Sequence, residues 1–565
     1  MIFTQQLGQK ERPYGWEDLI VLGGLFAAIY GIVMLAREWT GALRPVAEIH
    51  SEIQYLPLYA FYSLSRGVIA YGVSFLFTMF YGYVMARVRD AERIMLPVLD
   101  ILQSIPVLGF LPGFVLGLVH LFPHWNIGLE IASVLMIFTG QVWNMTFSFY
   151  SSLKSVPPDL LAVSQLAKMS WWQRFLRVDL SYAATGLVWN SMMSMAGGWF
   201  FLTVSEAFVL GEHDFRLPGL GSYMSVAIEQ GDTKAQILGV VAMLSMIVIV
   251  DQLVWRPIVA WSQKFTEEEN SAAARSWLWE RIRRSRVWGL ISQSAGQIWR
   301  SPTQTAPRKS ILAPRGLPGP WGRRAMTLLL GLGVLWGVSK YIHTLTTLHS
   351  HDWIDLVIST LTTFLRVMIA VALASLWTIP IGVLIGRNPQ AARACQPIIQ
   401  MAASFPAPMI FPAVVGGMLA LGIGLNVSSV LLLLLGTQWY VLFNVIAGAS
   451  ALPRDLWEFS RLARFSLTHR WRTLILPGIF PHLLTGWITA TGGAWNASIV
   501  AEYMKYRGQT LSTVGLGSSI SIATEKGDFH ILAAAVGIMA LTVVSFNRFV
   551  WRPLSHRAQT RYALQ

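Results

Sequence analysis

The chain has 565 residues, 54% of them hydrophobic and 13% charged. A soluble globular domain carries roughly 25% charged residues, so that class is excluded, and several apolar runs reach the roughly 20 residues that cross a bilayer as a helix. The formal net charge of +14 is read as the Lys/Arg excess of cytoplasmic loops rather than as a nucleic-acid footprint, and the lone Cys395 excludes an internal disulfide framework.

Residues 1–18 are polar and show no evident cleavable signal. Spans are predicted over 19–35, 58–85, 95–121, 127–151, 183–210 and 235–255. The third is interrupted by Pro97, Pro106 and Pro112, which membrane helices tolerate where neighbouring helices or water satisfy the freed carbonyls. Residues 211–234 read as a loop containing Leu-Pro-Gly-Leu-Gly. Residues 256–324 hold 13 Lys/Arg against four acidic residues. Within them, 276–299 reads as a basic, Trp-bearing helix lying on the membrane surface, or as a disordered basic linker, and 301–320 as an extended Pro/Ser/Thr tether. A second set of spans is predicted over 326–345, 355–385, 397–421, 427–448, 477–503 and 530–550.

The second set repeats the first. A shift of 296 residues places the polar, basic stretch 155–180 on 451–476. It superposes Pro157 on Pro453, Asp159 on Asp455, Ser164 on Ser460, Ala167 on Ala463, Ser170 on Ser466 and Arg174 on Arg470. Upstream of the fourth span the shift is 300, as Arg66 with Arg366 and Pro106 with Pro406. The expected fold is an all-α polytopic membrane protein of about twelve spans in two parallel six-helix repeats. Residues 1–256 form the first unit, 257–325 the linker and 326–565 the second unit. Basic residues in the loops after the second and fourth spans place both termini in the cytoplasm. Each repeated stretch is a helical hairpin held outside the lipid, and it reads as a docking element for a soluble partner.

The repeated stretch resembles the "EAA" loop of binding-protein-dependent ABC importer permeases. The segment 360–399 followed by Ser404-Phe405-Pro406 resembles the nitrate/sulfonate/taurine branch, as does Gly493-Ala494-Trp495-Asn496 leading to Val500-Ala501-Glu502-Tyr503 and Val514-Gly515-Leu516-Gly517. The resemblance covers nearly the whole chain twice, where family permeases are usually single units that pair. It implies a bacterial inner-membrane importer subunit and a small oxyanion or organic anion as solute. It also implies two separate ABC ATPase subunits and a solute-binding protein, with ATP and Mg bound by the ATPase partner and no cofactor by this chain. In agreement, no phosphate-binding loop is present, since the sequence contains no Gly-Lys dipeptide. The ATPase-coupling residues it implies are Pro157, Asp159, Ser164, Ala167, Lys168, Ser170 and Arg174, and Pro453, Asp455, Glu458, Ser460, Ala463, Arg464, Ser466 and Arg470. The family triplet reads Ala162-Val163-Ser164 and Glu458-Phe459-Ser460, and the family glycine reads Lys168 and Arg464. A glycine inside a helix costs about 1 kcal/mol, so its replacement is expected to be harmless to folding.

Charged residues within spans are costly and are default functional candidates. Arg66 is expected to pair with Glu206, and Arg366 with Glu502, bracing the outer gate of each half; snorkelling to the interface is the alternative. Ser194, Trp199, Trp495 and Asn496 are candidates for lining the solute path, with ordinary helix packing as the alternative. No histidine spacing fits a metal site, and no catalytic constellation is evident. An ion-coupled secondary transporter and a transport-inactive membrane scaffold are the competing functional readings.

Overall fold

A computed structural model describes residues 48–262, except 105, 211 and 212, and residues 320–561, with a few isolated positions besides. The predicted first span and the linker's surface helix and tether lie largely outside the described residues. The chain divides into two compact units. One comprises residues 1–41, 147–192 and 248–333, the other 42–146, 193–247 and 334–565.

Helices dominate. In the larger unit, α1 (Leu56–Phe77) continues through a π turn to Arg87. The third predicted span is not one helix. It breaks into α2 (Arg89–Ser104) and, after a 3-10 turn at Val107–Phe110, α3 (Leu111–Leu121). Pro106 sits extended at φ −64°, ψ 113°, where it cannot supply the N–H a continuous helix needs. Pro112 falls in the first turn of α3, where a missing N–H costs nothing. Next comes α4 (Ile127–Lys154), which leads into the smaller unit.

There the first repeated stretch folds as α5 (Pro158–Leu166), a tight turn, a short helix Trp171–Arg174 and a π turn at Phe175–Asp179. The chain then enters α6 (Leu180–Ser205), which ends in the larger unit. Within the predicted loop, residues 213–234 hold regular structure. Strands β1 (Ala207–Leu210) and β2 (His213–Arg216) pair antiparallel and are followed by α7 (Leu220–Glu229) and α8 (Thr233–Val250).

The second repeat has the same order. After α9 (Pro320–Leu345) come α10 (Ser350–Arg387), then α11 (Pro389–Ser404) and α12 (Phe411–Ala420), broken at Pro406 as in the first copy. They are followed by α13 (Leu425–Ala451), the hairpin helix α14 (Arg454–Leu462) and α15 (Leu476–Ala501). Strands β3 (Tyr503–Tyr506) and β4 (Gln509–Ser512) then lead to α16 (Leu516–Lys526) and α17 (Phe529–Phe546). The β3–β4 loop, Arg507-Gly508, has φ of 49° and 74°, the positive pair of a two-residue type I′ hairpin.

Seven helices among the described residues are long and apolar enough to cross a membrane: Ile53–Arg87, Ile127–Lys154, Thr233–Ser262, Ser350–Arg387, Leu425–Ala451, Leu467–Ala501 and Phe529–Ala558. The chain is a multi-pass membrane protein. In the second repeat α13 packs along both α10 and α15, with Val371, Val383, Val441, Val445, Ile479 and Leu483 forming the buried core. With lipid outside, such packing rests on close van der Waals fit rather than on water exclusion.

Candidate functional site

The charged residues inside the spans do not snorkel. Arg66 on α1 is 1% exposed and Glu206, just past α6, is 0% exposed. Arg66 Nη1 donates to Glu206 Oε1 at 2.8 Å and to the Pro218 carbonyl at 2.8 Å. In the second repeat Arg366 Nη1 donates to Glu502 Oε1 at 2.9 Å and to the Val514 carbonyl at 2.7 Å. A buried guanidinium persists only when its desolvation is offset by such paired, directed acceptors.

The local sequence explains why the glutamates sit there. Each carboxylate lies at the N-terminus of the helix that follows its strand hairpin. The Gly221 N–H donates to Glu206 Oε2 at 2.7 Å, and the Gly517 N–H to Glu502 Oε2 at 2.9 Å. Helix N-termini favour anions because their first N–H groups have no partner within the helix. A hydroxyl ties the knot in both copies: Ser63 Oγ donates to Glu206 and accepts from the Leu220 N–H, and Thr363 Oγ1 does the same between Glu502 and Leu516. The Pro-Gly-Leu-Gly and Val-Gly-Leu-Gly segments need glycine here because a Cβ on Gly219 or Gly515 would collide with the glutamate carboxyl.

The third partner was not anticipated. Glu130, in the first turn of α4, takes Arg66 bidentately, with Nε–Oε2 2.6 Å and Nη2–Oε1 2.7 Å. Its counterpart at a shift of 296 is Asn426, which accepts from Arg366 Nη2 at 2.9 Å; Thr513 Oγ1 accepts from the same nitrogen at 2.8 Å and also contacts Asn426. The first cluster therefore holds two carboxylates against one guanidinium, and the second one against one. The signal was available: Glu130 just inside the fourth predicted span and Asn426 just before its counterpart are polar residues at repeat-equivalent positions.

The hairpins have nearly identical backbones. Pro157 stands at φ −54°, ψ 137° and Pro453 at φ −55°, ψ 138°. Ser170 caps Trp171–Arg174 by accepting from the Gln173 N–H at 3.3 Å, and Ser466 accepts from the His469 N–H at 3.2 Å. Lys168 and Arg464 are not helix-interior residues. They have φ of 48° and 49° and form the left-handed link after each first helix. Met169 N–H reaches Ser164 O, and Phe465 N–H reaches Ser460 O, each at 3.1 Å, the pattern of a Schellman turn. Replacing glycine therefore carries the left-handed penalty of roughly 1–2 kcal/mol, contrary to the helix-based expectation.

Ser164 and Ser460 are buried, their hydroxyls donating to Leu161 O and Trp457 O; they shape the hairpins rather than face a partner. Pro157, Asp159, Ala167, Lys168 and Ser170 are exposed, as are Pro453, Asp455, Glu458, Ala463, Arg464 and Ser466. Arg174 and Arg470 are half-buried. The repeat-equivalent Leu166 and Leu462 are both 83% exposed, a large apolar side chain offered to solvent at the same place in each copy.

Of the four pathway candidates, Ser194, Trp199 and Trp495 are buried and Asn496 is half-buried. Trp199 is buried against Gly67, whose added Cβ would stand 2.9 Å from its ring. Trp495 is 1% exposed and lies near Phe364. Ser194 is 1% exposed, and Asn496 Oδ1 accepts from the Val107 N–H at 2.8 Å. That N–H lies at the break after Pro106, so the second repeat's α15 holds the break of the first. None of the four lines the cavity of about 280 Å³ that both repeats enclose in the larger unit. Among the described residues no three His, Cys, Asp or Glu side chains gather as a metal site.

Paired helix breaks, paired buried Arg–Glu clusters and paired polar hairpins mark an almost wholly helical, multi-pass membrane protein whose second half repeats its first. The chain belongs to the family of binding-protein-dependent transport system inner membrane components, whose family model matches residues 52–254 and again 378–551. It is similar to the taurine transport system permease protein TauC of Escherichia coli, 27% identical over 176 residues, 31% of this chain and 60% of that protein. The nitrate import permease protein NrtB of Synechocystis sp. is 24% identical over 188 residues, 33% of this chain and 65% of its own length. The bicarbonate transport system permease protein CmpB of Synechococcus elongatus is 24% identical over 192 residues, 34% of this chain and 66% of its own. The chain thus spans just under two thirds of each of these relatives. These similarities place it among ABC importer permeases of the nitrate/sulfonate/taurine branch.

Proposed function

We propose that the chain is the transmembrane permease subunit of an ATP-driven importer, with two six-helix units fused in one polypeptide and the solute path between them. The units are 1–256 and 326–565, joined by the basic linker 257–325. Both termini lie in the cytoplasm on this reading, with the hairpins on that side. The hairpins 155–180 and 451–476 dock into separate ATPase subunits, which bind ATP and Mg, and a separate solute-binding protein delivers the solute. The solute is a small oxyanion or organic anion, as the relatives' names of taurine, nitrate and bicarbonate suggest.

The observation that carries this reading is the duplicated hairpin. The two copies share cap, left-handed link and exposed leucine, although 8 of the 15 residues from Val156 to Ser170 differ from their counterparts at a shift of 296. Nucleotide-driven closure of the ATPase pair then moves the hairpins, provided the hairpins bind its open and closed arrangements unequally. The Arg66–Glu206 and Arg366–Glu502 clusters brace the outer end of each half as this motion proceeds.

The test is co-purification from gently solubilised membranes of the wild-type chain and of Asp159→Arg with Asp455→Arg. An ATPase retained by wild type and lost from the double variant supports the reading. Absence of any ATPase from wild type removes the motor and refutes it.

A further inference from the structure

The second hairpin gathers positive charge that the first does not. Arg387, the last residue of the spanning helix Ser350–Arg387, stacks its guanidinium on Trp457 of α14, with Cζ 4.5 Å from the ring centroid. Arg461 follows Trp457 by one helical turn on the same face, and Arg470 lies in the first turn of the next apolar helix, Leu467–Ala501. Both stand close enough to repel the Arg387 charge. Arg470 Nε is buried without a hydrogen-bond partner. Among the described residues, none of the three guanidinium groups pairs with a carboxylate.

The first repeat supplies its own counter-ion. Arg174, the counterpart of Arg470, has Asp179 at 3.8 Å, and Asp179 is fully buried. At a shift of 296 that acid becomes Ile475, and Gln165 becomes Arg461. The second copy has lost an anion and gained a cation at one spot, and like charges held together at the edge of a low-dielectric medium repel strongly.

The depth of the cluster selects the missing anion. Arg387 ends one spanning helix and Arg470 begins another, so the cluster stands where bilayer meets water. Trp457 and Trp471 pack there against the apolar core, where the first copy has Leu161 and Phe175; tryptophan favours the headgroup level. Ile381 and Leu384, one to two turns deeper on α10, are exposed and give an acyl chain a wall to follow. Guanidinium groups take phosphate oxygens bidentately, and basic pockets between membrane helices hold anionic headgroups.

We propose that Arg387, Arg461 and Arg470 form a binding site for an anionic phospholipid, whose headgroup phosphate takes in the second repeat the place that Asp179 holds in the first. The site is independent of the transport reading above.

The test is native mass spectrometry of the full chain released from micelles and titrated with phosphatidylglycerol, with phosphatidylcholine as the neutral lipid and sodium phosphate as the free anion. Phosphatidylglycerol is expected to bind more tightly than phosphatidylcholine and to resist sodium phosphate. Arg461→Gln, which installs the first copy's residue at an exposed position, is expected to weaken phosphatidylglycerol roughly fivefold, and Arg387→Gln likewise. Ile475→Asp returns the internal counter-ion and is expected to weaken the lipid with every cation in place; near-ultraviolet circular dichroism checks its folding. Arg472→Gln removes an exposed arginine two positions from Arg470, hence on a different helix face, and is expected to leave binding unchanged. Equal binding of the two lipids, an equal loss with Arg472→Gln, or displacement of the lipid by sodium phosphate overturns the proposal. So does an ATPase that co-purifies with wild type and is lost from Arg461→Gln while lipid binding is unchanged, which would give the cluster to an acidic protein partner.

Discussion

Glu502→Gln should be far more damaging than Glu206→Gln, although the two glutamates occupy the same place in the repeat. Each substitution keeps an oxygen for the arginine and replaces the other with an NH₂ group that meets a backbone N–H, that of Gly221 or Gly517. This common cost is about 1–3 kcal/mol for an unsatisfied buried donor. The difference lies in the guanidinium. Arg66 retains Glu130, held bidentately at 2.6 and 2.7 Å. Arg366 is left with Asn426, Thr513 and the Val514 carbonyl, none of them charged. Stranding a buried charge costs about 3–5 kcal/mol, so Glu502→Gln should exceed Glu206→Gln by about 3 kcal/mol. Adding Asn426→Glu to Glu502→Gln moves the carboxylate to the position that Glu130 occupies in the first cluster, and should restore at least half of that difference. The assay is SDS-titrated unfolding in mixed micelles, followed by near-ultraviolet circular dichroism. Equal losses for the two single variants, or no rescue by Asn426→Glu, would refute the charge-count reasoning.

Lys168→Gly and Arg464→Gly should each stabilise the chain by about 1 kcal/mol, because glycine enters the left-handed region without the Cβ clash; a loss of stability in the same unfolding assay would contradict the Schellman assignment. Gly515→Ala should cost about 2 kcal/mol or more, since its Cβ displaces the Glu502 carboxyl from its hydrogen bonds. Gly72→Ala, with open space around it, should be near neutral and serves as the control. Ser170→Ala and Ser466→Ala should each remove about 1 kcal/mol of capping, read as faster amide hydrogen exchange over residues 171–174 and 467–470.

Much of the architecture was legible in the chain because its signals are local or repeat. Apolar runs fixed the membrane class, and prolines at equivalent positions marked both breaks. The shift of 296 residues exposed the duplication and singled out the hairpins. Arg66 with Glu206, and Arg366 with Glu502, could be matched because isolated charges in a bilayer must find each other. Three features needed the tertiary structure. Glu130 and Asn426 join their clusters only when α4 and α13 are placed beside the arginines, a relation between segments far apart in sequence. The strand hairpins were hidden because each strand is four residues long, too short for a clear alternating pattern. The left-handed Lys168 and Arg464 were misread as helical because sequence shows a residue type and not its φ. Trp199 and Trp495 were singled out by their small neighbours, but the glycine that Trp199 packs against is Gly67 on α1, and Trp495 is buried near Phe364. Composition and repetition decided what the chain is made of and that it was doubled; which polar groups meet, and which side chains face a cavity, was decided only by how the helices pack.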